Sequence, residues 1–147
     1  MMVALLAASL LAPGAARADD AGASLKIISG SALAADWYGE GAISMRKQLC
    51  ISSTTARYTL EMSGPGSWFP ASDSKVEVRF QDETGASQTK SLVQSNPIIF
   101  TGNSLVANSD CSAGPNATVE FFIPERLLLS QQAGSYFDQI LLVVSPL

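Results

Sequence analysis

An all-β fold of two packed sheets is what this chain predicts, and three observations carry it. Short segments alternate apolar and polar residues with a period of two, Gly, Pro, Asn and Ser interrupt them at close intervals, and only one stretch carries a helical pattern. "KVEVRFQD" is the clearest strand. Val76, Val78 and Phe80 share one face, Lys75, Glu77, Arg79 and Gln81 share the other, and "DETG" follows as the turn. The return strand is "SQTKSLVQS", whose polar residues suit an edge or an exposed face. "ARYTLEMSGPGS" puts Tyr58, Leu60 and Met62 on one side until Gly64-Pro65-Gly66 ends the run. "ATVEFFIPE" turns Val119, Phe121 and Ile123 inward, and Pro124 bars further pairing. In "GAISMRKQLCISS" Ile43, Met45, Leu49 and Ile51 are in phase and Cys50 points the other way. "PERLLLSQQAG" supplies one or two helical turns, with Pro124 in the first and Gly134 past the end. Seven or so short strands with one helical turn describe a β-sandwich of immunoglobulin type.

The N-terminal stretch "MMVALLAASLLAPGAARA" reads as a secretory signal peptide over residues 1–18. An apolar run from Val3 to Ala12 precedes a Pro13-Gly14 break and a small-x-small site at Ala16-Arg17-Ala18. It departs from the usual design in having no Lys or Arg ahead of the apolar run. A membrane anchor would need roughly 20 apolar residues, more than the run offers. Removing 18 residues from 147 leaves 129, the length of one domain. Loss of Arg17 takes Lys plus Arg from 9 to 8 against 13 Asp plus Glu, a net charge of −5. An acidic chain without a basic cluster repels phosphate backbones, so nucleic acid is not an expected partner. No transmembrane helix is expected either.

Cys50 and Cys111 are the only cysteines. In an oxidising compartment an even, low count reads as one disulfide, which would stabilise the fold by roughly 4 kcal/mol; two separate buried thiols are the alternative. Histidine is absent. Ser-His-Asp and Cys-His catalysis and the usual zinc sites are thereby excluded, and acid–base work would fall to carboxylates, Lys or Tyr. Asp36 and Glu40 flank an aromatic pair, and Asp82-Glu83 sit in the "QDETG" turn. Neither pair has the spacing of glycosidase carboxylates or of a calcium loop, and both read as solvated loop charge. No enzyme and no cofactor or metal is expected. Trp37-Tyr38 and Trp68-Phe69 are aromatic enough to stack on sugars, which would make the chain a self-contained secreted binding module, adhesin-like or carbohydrate-binding; packing over a sandwich end is the plainer reading.

The chain ends on "GSYFDQILLVVSPL". Tyr136, Ile140, Leu142 and Val144 share one face, and Phe137, Leu141, Val143 and Leu147 the other. A strand apolar on both faces is expected to be interior, covered either by an earlier strand or by another polypeptide. These residues resemble the last strand of chaperone-usher pilus subunits and of the related spore coat protein U-like domains, which close on Gly-x-Tyr/Phe-x-Asp and then alternating apolar residues. Gly134 stands fourteenth from the end, as in those pilins, and Ile140, Leu142 and Val144 follow their alternation. Pro146 departs from the family, which carries an aromatic there.

The resemblance implies an immunoglobulin-like sandwich lacking its final strand, with a groove beside the last strand. Gly134, Tyr136, Ile140, Leu142 and Val144 would contact first a periplasmic chaperone and then the N-terminal extension of a like subunit, at an outer-membrane usher, by strand addition. The protein would pass through the periplasm to a cell-surface fimbrium. The donor would lie in residues 19–36, ahead of a sandwich at 37–147, with Leu25 and Ile27 on one face or Ile28 and Gly30 on the other. The alternative is that residues 24–34 form the domain's own first strand.

Overall fold

The computed structural model describes residues 21–28, 30, 32–64, 75–93, 96–105, 112–131 and 140–147. The signal-peptide segment, Trp68, Phe69, Cys111, Gly134 and Tyr136 lie outside them.

Among the described residues the elements are β1 (Ala23–Ile27), β2 (Ile43–Ser53), β3 (Arg57–Ser63), β4 (Val76–Gln81), β5 (Ser87–Leu92), β6 (Ile98–Asn103), β7 (Ala117–Ile123), α1 (Glu125–Leu129) and β8 (Leu141–Pro146). They form two antiparallel sheets, one ordered β1-β2-β7-β4-β5 and one ordered β6-β3-β8. The fold is an all-β sandwich, as the alternation predicts. Strand β6 escaped the sequence reading, because Gly102 and the adjacent apolar pair Ile98-Ile99 blur its period of two. Residues 23–27 serve as the domain's own first strand here, with Leu25 opposite Ile51 and Ile27 opposite Leu49 of β2.

The alternation of β4, β3 and β7 translates directly into burial. Val78 and Phe80 are fully enclosed while Glu77 and Arg79 face solvent, and Tyr58, Leu60 and Met62 of β3 are buried against them from the other sheet. The centre is aromatic. Phe80 lies 5.4 Å from Phe100 and meets Tyr58 edge-on at 6.3 Å. Each large apolar side chain sealed here is worth about 1.5–3 kcal/mol. On the outer side of the larger sheet Glu120 accepts from the Ser44 hydroxyl at 2.6 Å and lies 3.6 Å from Arg46. Cys50, on that same side of β2, is buried and is not a free thiol.

Gly102 is required by a close approach. It sits opposite Tyr58 in the ladder, and the phenol ring lies over it so tightly that a Cβ would fall 2.4 Å from the ring carbon bearing the hydroxyl. Burial, and after it the charges of Asp82 and Glu83, push the Tyr58 phenol far above its ordinary range, so it is neutral at every physiological pH. Gly102→Ala should cost about 2–3 kcal/mol in urea unfolding. Combined with Tyr58→Leu, which removes the colliding ring, it should cost markedly less than the sum of the two single changes.

Candidate functional site

The two flanks of the three-stranded sheet end differently. On the β6 flank, the outward backbone groups are taken by side chains from the β4–β5 hairpin of the opposite sheet. The Gln88 amide donates to the Thr101 carbonyl and accepts from the Thr101 N–H. Lys90 donates to the Ile99 carbonyl, with its ammonium 5.6 Å from the Phe100 ring centroid. Asp82 accepts from the Asn103 N–H at 3.0 Å and from its side-chain amide at 3.2 Å.

Asp82 corrects the reading of "QDETG" as solvated loop charge: it is only 5 % exposed. Its other carboxylate oxygen accepts from the Thr84 N–H at 3.0 Å, the Thr84 hydroxyl at 2.6 Å and the Ala86 N–H at 3.1 Å. Burial alone would raise its pKa, but the bonds from Thr84 and Asn103 outweigh it and hold the carboxyl below its usual value. Glu83 is likewise engaged, accepting from the Leu105 N–H at 2.9 Å. A cleft of about 400 Å³ adjoins this hairpin, lined in part by Gln48, Asp82, Glu83 and Asn116, but Asn116 is committed to the backbone of Ile51, which donates to its Oδ1 at 2.8 Å and accepts from its Nδ2 at 2.7 Å. These groups hold loops together. Among the described residues no cluster of three or more His, Cys, Asp or Glu is placed to hold a metal ion.

The β8 flank has no such cover among the described residues. β8 pairs with β3 alone, Leu142 opposite Met62 and Val144 opposite Leu60, so among the described residues no earlier strand covers its outer flank, and of the two covers its apolar faces predict only another polypeptide is left open. The N–H of Leu147 donates to the Arg57 carbonyl at 3.1 Å, which fixes the phase of the ladder. Leu141, Val143 and Ser145 therefore direct their backbone groups to β3, while Leu142, Val144 and Pro146 direct theirs to the open flank. Pro146, lacking an N–H, ends what this flank can donate.

Side-chain burial follows the same gradient. In the rows Ile98–Met62–Leu142 and Phe100–Leu60–Val144 the β3 members are 0 % exposed, yet Leu142 and Val144 are only half-buried. Ile140 joins them at the rim of the core, Leu25 and Ile27 border the same core from the other sheet, and Leu33 does so from the segment between β1 and β2. On the outer face of β8, Leu141 is 62 % and Val143 44 % exposed. The expected groove residues thus divide: Ile140, Leu142 and Val144 come together at this margin, while Gly134 and Tyr136 lie outside the described residues. Leu25 and Ile27, expected in a donor strand, sit across it in β1. Ile28 closes β1 by donating its N–H to the Gln48 carbonyl at 2.9 Å, and Gly30 follows with a left-handed φ of 84°.

Compared with family models, curated proteins and solved structures, the chain finds no match. Among the described residues no helix is long and apolar enough to cross a membrane.

Two outcomes are expected of the sealed flank. Gln88→Ala with Lys90→Ala should bare the β6 edge and bring on concentration-dependent association in light scattering, at a stability cost of about 1–2 kcal/mol. Asp82 has a folded pKa below its unfolded value near 4. Its stabilisation is therefore complete above that unfolded value and lost as pH falls through the lower folded one. Asp82→Asn should be less stable than the parent at pH 7, and the gap in denaturant midpoint should close as pH falls below the folded value.

Proposed function

We propose that this chain is a structural subunit of a surface fimbria, assembled through a chaperone-usher pathway by donor-strand exchange. The observation that carries the reading is the β8 flank, bare among the described residues: an apolar, half-covered strand at one margin of the three-stranded sheet, whose other margin is sealed by side chains. An added strand would bond to the backbone of Leu142 and Val144 and cover Ile140, Leu142 and Val144 together with Leu25 and Ile27 across the gap. Completing the cover of these five groups is worth roughly 1 kcal/mol each, about 5 kcal/mol in all, a large share of an ordinary domain's stability. A periplasmic chaperone would supply that strand in transit and a like subunit would supply it in the fibre. A disulfide between Cys50 and Cys111 and removal of residues 1–18 belong to the same proposal.

A second reading, a self-contained binding module, draws on Tyr38, which is 89 % exposed beside Trp37. The Trp37 indole, however, is tied back, donating to the Gly41 carbonyl at 2.8 Å.

The mature chain alone is expected to unfold at low urea or to associate, and to gain several kcal/mol when a peptide of alternating apolar residues is added. A monomer of high melting temperature that ignores such peptides would sink the fimbrial reading.

A further inference from the structure

The strand-accepting margin contains a cation. β1 pairs with β2 only from Ser53 to Leu49, so from Lys47 to Ile43 the flank of β2 that β1 would occupy has no strand partner among the described residues. Along this uncovered half, Ile43, Met45 and Lys47 follow in phase with Leu49 on the inward face, and all three are half-buried. Ile43 and Met45 pack against the core. The Lys47 side chain makes no hydrogen bond or ion pair among the described residues, in contrast to Arg46, which faces outward towards Glu120, and to Lys90, which caps Ile99.

No acidic group of the strands can reach it from within. Glu61, Glu77 and Glu120 all lie on outward faces, out of phase with the buried Leu60, Val78 and Val119. Directly across the ladder from Lys47 stands Val119. Lys47 is thus a half-buried cation in an apolar stripe with no counter-charge among the described residues, and an incoming carboxylate would supply one. Strand β8 comes into contact with both β1 and β2, so this flank of β2 and the open flank of β8 belong to the same side of the sandwich.

We propose that the segment received at this margin is an extended apolar strand carrying one Asp or Glu in phase with its apolar residues, and that Lys47 selects it by pairing with that carboxylate. The inference rests on the strand-accepting reading above and adds the chemistry of the partner. Lys47 thereby sets the register of the incoming strand, because a slip of two residues would move the carboxylate away from it and a slip of one would turn it to the other face.

The test uses the whole mature chain and synthetic nine-residue peptides alternating Val or Ile with Thr. In one series a Glu is moved through the Val/Ile positions, in a second Gln replaces that Glu, and a third has Lys there. At one position the Glu peptide should bind about tenfold more tightly than its Gln counterpart, and added salt should shrink the difference. In Lys47→Met, which keeps the apolar stem, the preference should vanish; in Lys47→Glu the Lys peptide should become the favoured one. Equal binding of Glu and Gln peptides at every position would overturn the role of Lys47 while leaving the groove intact, its stem then merely covering apolar surface. Failure of every peptide to bind would overturn the strand-accepting reading and this inference with it.

Discussion

A sheet edge is a row of backbone donors and acceptors that must be bonded to something, and among the described residues the three-stranded sheet of this protein meets that demand on one side only. At β6 the partners are Asp82, Gln88 and Lys90, reaching across from the β4–β5 hairpin. At β8 the alternate backbone groups of Leu142 and Val144 face outward with nothing from the described chain against them. Among the described residues this asymmetry leaves one margin with unpaired edge groups and the other capped by side chains.

The apolar groups reinforce the direction that the backbone sets. Burial along the rows of the small sheet is complete at β3 and falls away at β8, so hydrogen-bonding capacity and uncovered apolar surface coincide at one margin. Either alone would be an ordinary feature of a protein surface. Together they are the basis of the proposed strand addition, and Lys47 adds a charge in phase with the apolar stripe of β2.

Polar groups that look idle in the linear chain prove structural. Asp82 joins the hairpin turn to the end of β6 through both carboxylate oxygens, and the Asn116 side chain bonds to both backbone groups of Ile51 one residue beyond the last β2–β7 rung at Leu49 and Ala117. Such side-chain mimics of a ladder let the sheets end cleanly while keeping buried backbone groups satisfied. The same economy explains why Tyr58 and Gly102 face each other. The ring fills the space a side chain on Gly102 would occupy, and shields the weakest rung of β6.

The sequence by itself determined which side of each strand is apolar. The phases of β3, β4, β7 and β8 follow from a two-residue period that the pleat imposes locally. Lys47 shares the phase of Ile43, Met45, Leu49 and Ile51 but drew no reading from the sequence, because its place acquires meaning only once β1 is seen to stop short of it. Beyond the β4–β5 hairpin, which its turn announces, tertiary structure alone decided which strands are neighbours: that residues 23–27 pair with β2, that β8 is an edge among the described residues, and that Asp82 is enclosed. The reason is that pairing and enclosure are set by segments far apart in the chain, whose approach depends on the energy of the whole sandwich, whereas facing is set by each residue and its immediate neighbours.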